Sequence, residues 1–356
     1  MKKIITLSMF FIAFSLFAQE EETIVEPTVE VTEEKKSFSF SGSVDAYYRT
    51  NFTGPNGEDA IAPGSSFANL DGFALGMANL VASYEGEKVG FVADLVFGPR
   101  GTDAIFNSPM VGPTSSTLST GNIINQLYAY WNVSESVTLT MGNFNTFLGY
   151  EVISPVANFN YSTSYLFSYG PFSHTGIKAD IALTDDLSLM LGVFNDTDLT
   201  EFNATGDYAA GAQIGYKGQY LNVLYDPSFF EIDFTGGFDV SEEFFLGINA
   251  AYLNLEDDGG GFMGAALYPQ YAMSETFTLG FRGEYFVEDG AFGAIGTGLE
   301  DSSVFAATLT GSFTIDDLII KPEIRLDSAS DDAFLDTDLM PSKSLGSFVL
   351  AAIYKF

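Results

Sequence analysis

The chain has 356 residues, 14 Lys+Arg against 47 Asp+Glu for a formal net charge of −33, and no cysteine. This balance excludes a nucleic-acid binder, because phosphate contacts need basic clusters that the chain lacks. Without cysteine, lipoprotein anchoring and disulfide stapling are excluded too, so packing and backbone pairing must hold the fold together.

Residues 1–18 read as a secretory signal: Lys2 and Lys3 form the basic start, "IITLSMFFIAFSLF" is the apolar core, and Ala18 precedes a polar change at Gln19. Residues 19–36, "QEEETIVEPTVEVTEEKK", are acidic, low in complexity and without a helical stripe, which reads as a disordered periplasmic tether. No later run is long and apolar enough for a transmembrane helix.

From residue 37 to 356 the chain instead alternates apolar and polar side chains in pieces of about ten, the length a tilted strand needs to cross a bilayer. The pattern predicts strands at 38–50, 73–84, 88–97, 122–133, 136–143, 173–183, 187–195, 207–217, 219–226, 229–240, 243–255, 261–273, 275–287, 302–314, 317–327 and 344–356. Tight connections such as "EGE", "SES", "TDD" and "KG" alternate with longer ones at 51–72, 98–121, 144–172, 288–301 and 328–343. The connection at Pro227 breaks the rhythm by being short. The expected fold is all-β, a closed antiparallel transmembrane β-barrel of about 16 strands with short periplasmic turns and long extracellular loops. Soft strand boundaries leave 14 or 18 open. An even number places both ends of the barrel in the periplasm, and sixteen strands leave room for an aqueous channel.

Alternation also assigns faces. In "LIIKPEIRLD", Leu318, Ile320, Pro322, Ile324 and Leu326 oppose Ile319, Lys321, Glu323, Arg325 and Asp327. Four charges on one face are costly in a dry core and cheap against water, so they are assigned to the lumen. The other inward charges are Asp45, Arg49, Asp94, Lys178, Asp180, Glu231, Asp233, Arg282 and Glu284. Both signs occur, so mutual pairing within the wall competes with a transverse field set up by Arg49, Arg282, Lys321 and Arg325.

The connection 144–172 holds nine aromatic residues and one charge, Glu151, which is unlike a solvated loop of so acidic a chain. Within it "NFNYSTSYLFSY" places rings at odd positions and Asn or Ser at most even ones, the pattern of an extended segment. We expect a constriction loop folded into the lumen, with Tyr150, Glu151, Asn158, Asn160 and Ser162 facing the passage. A strand extension above the membrane or an extra hairpin are the other readings of the same stretch.

Catalytic and metal chemistry find little support. His174 is the only histidine, and neighbouring Ser173 and Thr175 point to the opposite face on a strand. One histidine and no cysteine cannot build a usual zinc site. The acidic stretches "LEDDGGG" and "DSASDDAFLDTD" lack the spacing of a dedicated calcium loop, so no cofactor is expected beyond loosely bound Ca or Mg.

The stretch "GNFNTFLGYEVISPVANFNYSTSYLFSYGPFSHTG", residues 142–176, resembles the OmpL-like β-barrel porin family of Bacteroidetes-type bacteria. The resemblance implies an outer-membrane barrel acting as a porin and does not specify cargo. The terminal "FVLAAIYKF" also resembles the signal that outer-membrane assembly machinery reads, through Phe356. The expected function is passive diffusion of small hydrophilic solutes or ions across the outer membrane of a Gram-negative bacterium, with a cation preference drawn from the net charge. Outer-membrane lipid and lipopolysaccharide are the expected surroundings, and no oligomeric state is legible. The alternative is a structural or adhesive barrel with a plugged lumen, and an enzyme barrel comes third.

Overall fold

The computed structural model describes residues 37–105, 123–200, 203 and 205–356; residues 1–36, where a signal and a tether are expected, lie outside the described residues. Sixteen strands close into one antiparallel barrel. They are β1 (Ser37–Asn51), β2 (Gly72–Glu85), β3 (Val89–Phe97), β4 (Ile124–Ser134), β5 (Val137–Asn145), β6 (Ser173–Ala182), β7 (Leu187–Phe194) and β8 (Ala209–Tyr216). The second half adds β9 (Gln219–Asp226), β10 (Phe229–Asp239), β11 (Phe244–Leu255), β12 (Gly261–Ala272), β13 (Phe277–Asp289), β14 (Ser303–Ile315), β15 (Leu318–Ala329) and β18 (Ser344–Lys355). Two short strands, β16 (Phe334–Leu335) and β17 (Pro341–Ser342), pair as a separate hairpin in the connection between β15 and β18. Two short helices, α1 (Pro99–Ala104) and α2 (Tyr165–Tyr169), also lie in loops.

Each strand pairs with its sequence neighbour, and β1 closes the sheet on β18. All backbone edges are thereby paired, as hydrocarbon demands. At the seam Gly42 and Phe356 exchange both backbone bonds, each at 3.0 Å. The short connections, at 86–88, 135–136, 183–186, 217–218, 240–243, 273–276 and 316–317, share one end of the barrel with both ends of the sheet. Lys217 and Gly218 both have positive φ, 51° and 79°, which makes this two-residue connection a twist-compatible hairpin turn.

Outward-facing residues form the apolar band. Leu127, Met141, Ile177, Leu191, Ile214 and Leu309 are exposed around the belt. Exposed rings gather at its two rims: Phe40, Trp131, Tyr216, Tyr271 and Tyr354 near the short turns, and Phe73, Tyr225, Tyr285 and Phe305 near the long loops. These are the aromatic girdles of a bilayer-spanning barrel, whose rings sit at head-group level.

The inner face is not uniformly wet. On β18, Val349, Ala351 and Ile353 point inward, are at most 2 % exposed, and pack with Tyr47, Ile319 and Tyr161. Further apolar clusters occupy the interior at β11–β15, at β2–β3 with α1, and at β5–β9. Loops entering from the long-loop end contribute residues to each cluster, such as Tyr165, Phe67, Tyr161 and Leu148.

At Gly42 an added Cβ would collide with the Asn79 carbonyl and meet the Phe356 ring at 2.8 Å. Gly42→Val is therefore expected to weaken the β1–β18 seam. The check is the fraction of the protein migrating as a compact band on unheated denaturing gels after refolding, which should fall well below wild type.

Candidate functional site

The connection between β5 and β6, residues 146–172, lies inside the barrel against the inner faces of β8, β10–β15, β18 and β1. It runs mostly as turns and bends and is helical only at α2. An irregular segment leaves its own N–H and C=O groups without a ladder, so once buried it must find partners elsewhere. The charged side chains of the wall are those partners.

Two glutamates accept from loop amides. Glu323 on β15 accepts from the Tyr161 N–H at 2.9 Å and the Ser162 N–H at 3.1 Å, and from the Ser162 hydroxyl. Glu284 on β13 accepts from the Tyr165 and Leu166 N–H groups at 3.0 and 2.8 Å, the first turn of α2. Ser164 caps that helix, its Oγ accepting from Phe167 at 3.0 Å.

Cations bind loop carbonyls. Lys321 donates to Pro155 and Asn158, Arg325 to Thr163 at 2.8 Å, and Arg282 to Ser162 at 2.6 Å. From α1, Arg100 donates to Ile153 and Tyr161 at 2.9 and 3.1 Å, and lies 4.2 Å from the Phe67 ring centroid. Charge-assisted bonds of this kind contribute about 1.5–3 kcal/mol each.

Arg282 and Glu151 form the ion pair at the centre, 2.7 Å apart with side chains 0 % and 3 % exposed. The second Glu151 oxygen accepts from the Ser164 N–H at 2.7 Å and from its hydroxyl. Strand register aligns this chemistry in rows: Arg282, Thr308, Arg325 and Ser347 lie opposite one another across β13, β14, β15 and β18. The next row toward the long loops holds Glu284, Ala306 and Asp327, and the opposite one holds Gly280, Thr310 and Glu323. Rows of alternating sign match the alternating N–H and C=O groups of a backbone laid across them.

Shape matches as well. At Gly211, Gly247 and Gly280, inward positions of β8, β11 and β13, an added Cβ would overlap the rings of Phe147, Tyr150 and Phe159 respectively. Tyr150 also stacks on Tyr268, with centroids 4.3 Å apart and planes at 26°. Asp45 on β1 accepts from the Tyr161 hydroxyl and from the Met77 N–H. Burial pulls the Arg100 guanidinium below its usual range and raises the Tyr161 phenol. Asp198 fastens the exit of the loop, accepting from Phe172 and Ser173 at 2.7 and 2.8 Å.

Several sequence expectations are revised. Glu151, Asn158, Asn160 and Ser162 do not face a passage; they are buried, and so is most of Tyr150. Asn160 donates to Thr310 at 2.7 Å, while Asn158 closes a local turn on both backbone groups of Val152. The polar half of "NFNYSTSYLFSY" thus binds wall and neighbouring turns, where the alternation had suggested water, and the segment coils into α2 where an extended run was expected. The wall charges Arg49, Arg282, Glu284, Lys321, Glu323, Arg325 and Asp327 are all inward but at most 2 % exposed, because loops cover them. Arg325 is bidentate to Asp327, both contacts at 2.8 Å. Arg49 donates to Ile61 at 3.0 Å, holding the loop between β1 and β2.

His174 is 1 % exposed, with Nε2 3.0 Å from the Thr146 hydroxyl and its ring between Phe147 and Phe194. Its place is in the packing of the loop's entry. Arg100 and the three glycine seats were not anticipated. The available signal was on β18, where both faces are apolar, as on any strand covered on both sides.

A closed barrel with a lipid-facing belt and a loop folded into its lumen defines the outer-membrane porin class. The chain belongs to the family described as "Putative beta-barrel porin-2, OmpL-like", which its residues 37–356 match. It resides in the outer membrane of Gram-negative bacteria as a multi-pass barrel. The fold is similar to that of the outer membrane channel DcaP of Acinetobacter baumannii (13 % identity, 91 % of this chain and 99 % of that one, TM-score 0.57). It is also similar to an anion-selective porin from Comamonas acidovorans (12 %, 90 % and 100 %, 0.58) and to Salmonella typhi OmpF in complex with daunomycin (10 %, 90 % and 98 %, 0.59). No curated protein matches in sequence.

Removing one member of a buried ion pair strands the other charge, at a cost of about 3–5 kcal/mol. Arg282→Met is expected to lower the thermal unfolding temperature and expose 150–166 to proteases. The double variant Arg282→Met/Glu151→Gln should recover most of the loss, as read by calorimetry and limited proteolysis.

Proposed function

We propose that the protein is a passive porin for small hydrophilic solutes and ions, with residues 146–172 narrowing its passage. The observation that carries this reading is the loop after the fifth strand, bound inside a sixteen-stranded barrel by Glu284, Glu323, Arg282, Lys321 and Arg325. A loop so fastened leaves a fixed aperture and no moving gate. A preference for cations is part of the proposal, supported by the formal net charge of −33. No resident cofactor or catalytic role is invoked. The acidic outer loops would exchange Ca or Mg loosely with lipopolysaccharide, and Phe356 would be read by the assembly machinery after export by the segment 1–18.

A second reading, a structural or adhesive barrel with a plugged lumen, is favoured by the apolar clusters that line much of the interior. Planar bilayers separate the two. The porin reading expects stepwise conductance from the intact protein and a reversal potential favouring cations in a KCl gradient. The plug reading expects a silent wild type and large steps only after deletion of 150–166. Silence in both would remove the channel from consideration.

A further inference from the structure

The loop does not cover the inner wall evenly, and the difference is sharpest near the short turns. On β15, Ile319 and Lys321 lie one and three residues beyond the strand's start at Leu318, and are 7 % and 2 % exposed. Their partners on β18, Ile353 and Ala351, are both 0 % exposed. On the other arc, Asp180 and Lys178 of β6 stand opposite Thr138 and Thr140, one and three residues beyond the start of β5 at Val137. At this matching depth their side chains are 44 % and 23 % exposed. Tyr128, Tyr130 and Asn132 on the inner face of β4 are likewise half-buried.

The face assignment is fixed by contacts. Ile177, next to Lys178 on the strand, is exposed on the lipid side, while the Lys178 ammonium lies 5.3 Å from the centroid of Phe144, a ring packed inside the barrel. Lys178 and Asp180 form an ion pair at 3.0 Å. The inward carboxylates Asp45, Asp94, Glu231, Asp233, Glu323 and Asp327 are all buried.

Resting on the porin reading above, we infer that the water path runs along the β4–β6 arc, and that Lys178 and Asp180 are the charges a permeating ion meets there. The buried arginines opposite are fixed to loop carbonyls and are structural. Because Asp180 presents more of itself to water than Lys178, the pair biases the path toward cations. A unit charge about 4 Å from an ion in water alters its local concentration roughly fivefold. Asp180→Asn should thus move the cation-to-anion permeability ratio toward anions by about that factor, and Lys178→Gln should move it the other way.

The native chain has no cysteine, so single cysteines report one position at a time. Full-length Lys178→Cys, Asp180→Cys and Ala351→Cys proteins would be reconstituted in planar bilayers and treated with a charged, membrane-impermeant methanethiosulfonate reagent. The inference expects the first two to change conductance on modification and the third, at the covered wall, to stay unchanged. Normal steps that ignore modification at 178 and 180, or a block at 351, would overturn the location while leaving the porin reading intact. A protein with no conductance in any form would overturn both.

Discussion

The structure depends on one constraint: an irregular main chain carried into the membrane-spanning part of a protein must have its N–H and C=O groups satisfied by something other than water. Residues 146–172 form no ladder with the barrel strands. Their amides are taken by Glu284 and Glu323, and their carbonyls by Arg100, Arg282, Lys321 and Arg325. The wall charges therefore act as a surrogate strand partner. That role explains why both signs occur in adjacent rows, and why they tolerate burial that would be prohibitive for unpaired ions.

From this follows the division of the interior. Where the loop lies, the wall has glycines that receive Phe147, Tyr150 and Phe159, and apolar inward residues such as Val349 and Ile353 that pack against it. Where it does not, on β4 to β6, inward tyrosines, asparagine and the Lys178–Asp180 pair keep contact with water. The barrel thus resembles a membrane shell enclosing an off-centre domain core. The charges most conspicuous in the sequence belong to that core.

The barrel itself was legible because lipid imposes a simple code. Outward positions must be apolar, strands must pair with neighbours, and connections alternate in length, so strand positions fell within a few residues of those observed and the barrel count of sixteen holds. The site was legible only in part. Composition marked 144–172 as unfit for solvent, and Glu151 as its single charge. Alternation then misled, since Asn158, Asn160 and Ser162 were assigned to water when they bind Val152, Thr310 and Glu323. Period-two logic says that alternate residues differ in environment without saying which environment is polar. Here the wall is the polar surface. The contribution of Arg100 from the connection after β3 depends on three-dimensional proximity that no local pattern encodes.

The central claim is that wall carboxylates hold the loop's backbone inside the lumen. Amide hydrogen exchange of Tyr161, Ser162, Tyr165 and Leu166 in the detergent-solubilised or bilayer-embedded protein reads it directly. The account predicts protection approaching that of the barrel strands, with Glu323→Gln and Glu284→Gln accelerating exchange at their own pair of amides. Exchange of all four at the rate of an unprotected amide would contradict it.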